Sequence, residues 1–254
     1  MRAEGMRCLI LGGTADAREL AAVLEAQGIP TITALAGVTS APLMPLGRVR
    51  IGGFGGAAGI IAFCKAEAIA CIADATHPFA AQISANAHAA AAQLNIRYLR
   101  LERPAWQAGP GDQWIDVADT KAAAGALPPG ARVLLTVGRK DLAPFLARSD
   151  VSGVIRSIEP PAPPPPRWQV LQQRPPFTLD HEFALMRAHG ITALVTKNAG
   201  GAQTSAKLMA ARRLEIPVVM IARPAKPDAE TAQNATVLAA LITCDTPGNP
   251  AGTA

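Results

Sequence analysis

The sequence predicts an α/β protein of two Rossmann-like domains, with mainly parallel sheets and a cleft between them. Three observations predict it. Apolar runs of strand length alternate with alanine-rich stretches of helical length along most of the chain. Glycines and polar side chains gather where the apolar runs end. The 254 residues are half apolar but only 4% aromatic, which favours helices packed on a sheet over a disulfide-bound or all-β fold.

The elements follow in chain order. RCLIL at 7–11 is a strand, and 15–27 a helix with Leu20, Val23 and Leu24 on one face. Strands are expected at 31–35, 48–51, 69–73 and 96–99, and helices at 56–66 and 79–94. In the last of these, Phe79, Ile83, Ala87, Ala91 and Leu94 keep helical spacing. A looser region, 104–130, carries proline, glycine and two tryptophans. The rhythm then restarts with strand 132–136, a short helix 141–148 and strand 153–157. PPAPPPP at 160–166 is a rigid extended spacer. Helix 180–189, strand 192–196, helix 203–214, strand 217–221 and helix 230–242 complete the series. Strand, helix, strand in succession argues for parallel sheets covered on both faces. The expected division is a dinucleotide-binding domain over 1–115, a second α/β domain over 116–244 and a disordered tail over 245–254.

The formal net charge of +5 suits an anionic partner. No basic run is interleaved with aromatics, so nucleic acid is not the expected partner. No stretch has transmembrane length or the form of a signal peptide, so neither membrane nor secretion is expected. Cys8, Cys64, Cys71 and Cys244 lack CxxC spacing and read as reduced thiols of a cytoplasmic protein, expected to be a monomer. The cysteines and histidines lack metal-ligand spacing, and no G-x-S-x-G elbow is present. There is thus no strong metal signal, and hydrolysis and covalent catalysis are disfavoured.

In a doubly wound sheet, ligands bind outside the carboxyl ends of the strands. The first exit is GGTADAR at 12–18. Gly12 and Gly13 let a turn pass close to a phosphate, and Thr14 can cap the helix whose first N–H groups face an anion. A glycine turn that merely joins strand to helix is the simpler alternative. The second exit, LAGVTS at 35–40, has no acid to hold ribose hydroxyls, which points to a 2′-phosphorylated cofactor. The third, GGFGG at 52–56, concentrates backbone freedom where a ligand or another segment comes close. The fourth, DATHPF at 74–79, brings Asp74, Thr76, His77 and Pro78 together. Pro78 fits the first helical turn, and Thr76 or His77 can cap it. The rest of that group is either structural or part of a substrate or cofactor site. Later exits, TVGRKDL at 136–142 and TKNAGG at 196–201, place Arg139, Lys140 and Lys197 beside glycines and Asn198. Together they suggest a dinucleotide-using enzyme with an acidic substrate.

Taken in order, these stretches resemble the precorrin-6A reductase family of the cobalamin pathway. The matching segments are ILGGTADARELA at 10–21, VRIGGFGGAAGI at 49–60, DATHPFAAQISANA at 74–87 and RLERPAW at 100–106. LLTVGRKDLAPF at 134–145, LVTKNAGG at 194–201 and AARRLEIPVVMIARP at 210–224 continue the match. The resemblance implies hydride transfer from NADPH to the precorrin-6A macrocycle, giving precorrin-6B. The implied substrate is a tetrapyrrole-derived ring fringed with carboxylates. Gly12, Gly13, Thr14, Asp16 and Arg18 match the cofactor turn, and Gly53, Phe54 and Gly55 the cofactor cleft. Asp74, Thr76, His77 and Pro78 match the place where nicotinamide meets ring, with His77, Asp74 and Thr76 as catalytic candidates. Arg139, Lys140, Lys197, Asn198, Gly200 and Gly201 match the substrate side.

Two departures stand out. Many relatives carry arginine after the second-exit AG, where this chain has Val38, so Thr39, Ser40 or an arginine such as Arg18 or Arg48 must take the 2′-phosphate. The family's TKNSGG reads TKNAGG here, so Ala199 removes a hydroxyl. The proton that accompanies the hydride has several candidate donors: His77, another acid, a substrate carboxyl or water. Alternative functions are reduction of the cobalt-containing ring with NADH, and ligand binding without catalysis. A sugar-nucleotide enzyme is disfavoured because Tyr98, the single tyrosine, has no lysine four places on. A bulky residue at Gly12 is expected to weaken cofactor binding far more than folding.

Overall fold

In the computed structural model, which describes residues 6–37, 42–159 and 161–244, the chain forms two units. One comprises the residues up to Arg103 together with those from Pro224; the other runs from Pro104 to Arg223. Each is built on a six-stranded parallel sheet.

The first unit contains β1 (Arg7–Leu11), α1 (Ala15–Ala26), β2 (Thr31–Leu35), β3 (Arg48–Ile51), α2 (Ala57–Ala66), β4 (Ile69–Asp74), α3 (Ala81–Leu94) and β5 (Arg97–Leu101). The second unit contains β6 (Trp114–Val117), α4 (Thr120–Gly125), β7 (Arg132–Thr136), α5 (Ala143–Leu146), β8 (Ser152–Ser157), β9 (Trp168–Gln172), α6 (Leu179–Ala188), β10 (Ala193–Lys197), α7 (Ala206–Arg213) and β11 (Val218–Ile221). The chain then returns to the first unit for β12 (Glu230–Ala232) and α8 (Ala235–Cys244).

The strand orders are β12-β5-β4-β1-β2-β3 and β6-β11-β10-β7-β8-β9. Five strands of each sheet follow one winding scheme. The sixth place is filled by the last strand of the chain in one sheet and by the first strand of the unit in the other.

Side chains on a strand alternate between faces, so a sheet buried on both sides needs apolar residues at nearly every position. β1 shows this directly. Cys8 and Ile10 pack with Leu20, Ala21 and Leu24 of α1 and with Leu238, Ala239 and Ile242 of α8. Leu9 and Leu11 pack on the other face with Ile60 and Cys64 of α2 and Ala87, Ala90 and Ala91 of α3. In the second unit Leu134, Val154, Leu194, Val218 and Met220 pack beneath α6 and α7, with Leu185, Met186, Leu208 and Ala211 among their partners.

Several expectations are corrected. The predicted boundary at 115/116 gives way because β6 pairs with β11, so residues 104–115 belong to the second unit. Residues 224–244 belong to the first unit, because β12 pairs with β5 and α8 packs on α1. The helix expected at 230–242 starts late. Asn234 Oδ1 accepts from the Val237 N–H at 2.9 Å, so the cap stands at 234 and the preceding residues are free to form β12. β6 and α4 lie in the stretch expected to be loose, and β9 lies where no element is expected. The helix expected at 141–148 is a 3₁₀ turn at Arg139–Asp141 followed by α5. The tail expected over 245–254 lies outside the described residues.

The return of the C-terminus gives a test. Leu238 is fully buried in the core formed by α1, β1 and β5. Leu238→Ala is expected to cost about 2–5 kcal/mol. Amide exchange should accelerate in β1, β5 and α1 and stay slow in β7 and β10; the reverse pattern would place α8 elsewhere.

Candidate functional site

In each sheet the winding reverses at one point. β1 has β2 on one side and β4 on the other, and β7 has β8 on one side and β10 on the other. At such a reversal the chains leaving the two central strands run to opposite faces and open a crevice at the carboxyl edge. The four exits that flank these points are GGTADAR and DATHPF in the first unit, and TVGRKD and TKNAGG in the second.

At the β1 exit the two glycines serve different ends. The Gly12 N–H donates to Ala34 O at 2.9 Å, and a Cβ on Gly12 would lie 2.6 Å from Thr33 Cγ2. Gly12 is therefore demanded by the neighbouring strand, and a bulky residue there disturbs folding first, contrary to the expectation that folding would be spared. Gly13 has φ +104°, and a Cβ there would meet nothing within 4 Å. Its open side is where a ligand can approach the backbone. Thr14 caps α1 by accepting from the Ala17 N–H at 3.0 Å, and donates to Ala75 O at 2.7 Å. One side chain thus ties the β1 exit to the β4 exit. Arg18 Nη1 donates to Thr14 O at 3.2 Å, and Asp16 pairs with Arg103 at 2.6 Å. An open glycine in the left-handed region followed by a capped helix start fits a diphosphate.

The β3 exit is a loop with open walls. A Cβ placed on Gly52, Gly53, Gly55 or Gly56 would meet nothing within 4 Å. Phe54 packs edge-on against Phe63 of α2, with ring centroids 5.4 Å apart. Arg50, which lies inside the VRIGGFGGAAGI stretch but is not among the expected site residues, is 4.0 Å from the Phe54 centroid and donates to Gly52 O and Gly53 O. Thr39 and Ser40, expected as cofactor ligands, lie outside the described residues.

The group at the β4 exit turns on Asp74, whose carboxylate is buried and fully engaged. Oδ1 accepts from the Thr76 N–H at 3.0 Å and the Thr76 hydroxyl at 2.6 Å. Oδ2 accepts from Ser84 Oγ at 2.5 Å and Tyr98 OH at 2.8 Å, with Lys226 Nζ at 3.8 Å. Lys226 also donates to Thr76 Oγ1 at 3.4 Å. Burial, then the charge of Asp74 and its hydrogen bond, push the Tyr98 phenol well above its ordinary value.

The expected cap is corrected here. α3 begins at Ala81 behind Ala80, without a side-chain cap, and His77 to Ala80 form a turn closed by the Ala80 N–H donating to His77 O at 2.8 Å. Pro78 is in that turn and not in the helix. Thr76 is spent on Asp74 instead of capping. His77 is exposed, and its Nδ1 accepts from the Phe79 N–H at 3.3 Å, which puts the proton of the neutral ring on Nε2.

In the second unit Arg139 and Lys140 are exposed on the single 3₁₀ turn after β7. Lys197 is held by Asp141, with Nζ 2.6 Å from Oδ2. Asn198 has a different task from the one expected. Its Oδ1 accepts from the Trp106 N–H at 2.8 Å, and its Nδ2 donates to Trp106 O at 3.0 Å. The whole amide is engaged in clasping the segment that enters the unit. Gly200 has φ +69°, and a Cβ on it would lie 2.2 Å from Pro104 O. Arg223, where the chain leaves the unit, donates to Asn198 O at 2.8 Å and Ala199 O at 3.1 Å. Gly201 O accepts from Trp106 Nε1 at 3.0 Å. The loop is thus fastened to both ends of the unit's own chain. Among the described residues, no group of three or more His, Cys, Asp or Glu side chains could hold a metal ion. No described helix is long and apolar enough to cross a membrane.

Two measurements probe these networks. Tyr98 is the single tyrosine, so tyrosinate absorbance reports on it alone. Its ionisation in the folded protein should appear only well above the ordinary tyrosine value. Because the folded value is raised, the stability it contributes is complete below pH about 10 and falls as pH rises beyond that. Tyr98→Phe should cost about 1.5–3 kcal/mol, and ordinary titration would show that the hydroxyl is not held by Asp74. Asn198→Ala should cost about 1–3 kcal/mol of stability with no ligand present; unchanged melting would return Asn198 to a ligand-binding role.

The chain as a whole is similar to known proteins. Residues 7–243 match the family model described as Precorrin-6x reductase CbiJ/CobK. A precorrin-6A reductase of Rhodococcus erythropolis is 49% identical over 226 residues, covering 88% of this chain and 91% of the relative. A precorrin-6A reductase of Rhodobacter capsulatus is 45% identical over 224 residues, covering 87% and 89%. A solved structure described as CobK precorrin-6A reductase superposes with a TM-score of 0.90 at 41% identity, covering 98% of this chain and all of the other. With the match running from β1 to α8, the chain belongs to the precorrin-6x reductase family.

Proposed function

We propose that this chain reduces the precorrin-6A macrocycle to precorrin-6B in cobalamin biosynthesis, with NADPH as hydride donor. The observation that carries the cofactor's place is the β1 exit: an open left-handed Gly13, then a helix start capped by Thr14, beside the point where the winding reverses. The substrate follows from relatives at 45–49% identity that are named precorrin-6A reductase.

A reduced nicotinamide, when bound, supplies the hydride. The protein's own residues do the rest. Gly13 and the first N–H groups of α1 hold the diphosphate, and Gly53, Phe54 and Gly55 border the cofactor. Asp74 does not exchange a proton in this scheme. Its four donors hold it in place, so that it fixes Thr76 and the turn carrying His77 and Pro78. The exposed His77, once it takes up a proton from solvent, is as imidazolium the proton donor to the ring carbon beside the reduced one and returns to the neutral ring. Arg139 and Lys140 receive substrate carboxylates, and Lys197, held by Asp141, presents a fixed positive charge. Gly200 and Gly201 give the loop its shape.

Anaerobic turnover tests the proposal, with NADPH or NADH offered alongside metal-free or cobalt-containing ring. Oxidation of NADPH with the metal-free ring is expected. Tight binding of the ring without oxidation of either cofactor would contradict it. Because Arg139 and Lys140 are exposed, their contacts are screened. The double change Arg139→Gln, Lys140→Gln should raise the substrate KM several-fold and leave kcat nearly unchanged; an unaltered KM would move the carboxylate contacts elsewhere.

A further inference from the structure

A 2′-phosphorylated dinucleotide needs a cation beside its adenosine ribose, and the geometry points to Arg50 as that cation in this chain. The inference rests on the NADPH reading above.

With the diphosphate at the β1 exit, the adenosine half lies toward β2 and β3, because these strands occupy that side of the reversal. Two strand spacings, roughly 10 Å, separate the carboxyl ends of β1 and β3. Between Leu35 and Gly53 the chain has two charged residues, Arg48 and Arg50. Arg48 opens β3 at the amino edge of the sheet, where its guanidinium is paired with Glu67 just before β4, at 2.7 Å. Arg50 is near the carboxyl end, paired in register with Ala34. Arg18, the other arginine considered from the sequence, bonds Thr14 O on the diphosphate side.

Arg50 is prepared for an anion in three ways. Its guanidinium lies 4.0 Å from the Phe54 centroid and 5.4 Å from that of Phe63, so its plane is supported. Its two terminal nitrogens are anchored on Gly52 O and Gly53 O, which use two of five N–H donors. No described carboxylate pairs with it, and residues 36–47 of the neighbouring connection contain no acid. Many arginines of this unit are engaged otherwise: Arg7 and Arg48 with Glu67, Arg97 with Glu230, Arg100 with Glu102, and Arg103 with Asp16. Beside Arg50, the glycines of the loop leave open space, and Ile51 is 60% exposed, an apolar surface for a purine ring. A planar, supported, uncompensated guanidinium is the group that best matches a phosphate dianion.

Calorimetric titration with 2′,5′-ADP and 5′-AMP tests this without turnover. Wild type should bind 2′,5′-ADP roughly 10- to 100-fold tighter, the range of one charge-assisted pair. Arg50→Gln should remove most of that difference and leave 5′-AMP affinity unchanged, which also shows that the loop is intact. Arg50→Lys, which keeps the charge without the fork, should fall between the two. If Arg50→Gln keeps the full difference, the 2′-phosphate is read elsewhere and only this inference fails. If both nucleotides weaken equally, Arg50 merely shapes the loop and the inference fails. If wild type binds the two alike, the NADPH reading itself falls.

Discussion

A parallel sheet brings all its strand exits to one edge, and where the winding direction reverses, two neighbouring exits must turn to opposite faces. Much of the chemistry assigned to this chain depends on that constraint. It is met twice, beside β1 and beside β7, by two sheets with the same order of five strands. The first reversal is bridged by Thr14, which caps α1 and reaches Ala75 at the end of β4. The two exits are therefore fastened together at their base, with open space beside Gly13.

Much of the polar density at these exits is used to hold backbone in place. Asp74 takes four hydrogen bonds in a dry environment, where each unmet donor would carry a desolvation penalty of about 1–3 kcal/mol. Asn198 does the same for Trp106, and Arg223 for residues 198 and 199. Rigid polar supports hold the turns and loops that lie beside the exposed groups His77, Arg139 and Lys140.

The fold was legible because both sheets are buried on both faces. Continuous apolar runs such as RCLIL and ALVT suit a strand covered on two sides, and the helices between them carry clear stripes. Short elements were not legible. Glu230–Ala232 is too brief to show a period, and only its pairing with β5 makes it a strand. For the same reason the return of the chain to the first unit was hidden: pairing across more than 100 residues leaves no local signal. At the candidate site, the stretches named from the sequence do follow strand ends, but several of their residues have structural contacts that the sequence did not signal. Gly12, Thr76 and Asn198 sit in functional-looking motifs, yet their contacts are with neighbouring strands, a buried carboxylate and an entering linker. Tyr98, Lys226, Trp106 and Arg50 were missed because each meets its partners through tertiary contacts or lies within an ordinary-looking strand.

The claim on which the functional account stands is that the dinucleotide occupies the first unit's reversal and not the second's. Amide hydrogen exchange with and without NADP⁺ tests it directly. The account predicts added protection at 12–18 and 52–57, with the exits at 136–141 and 197–201 unchanged. Protection confined to 136–141 and 197–201 would contradict it and exchange the roles of the two units.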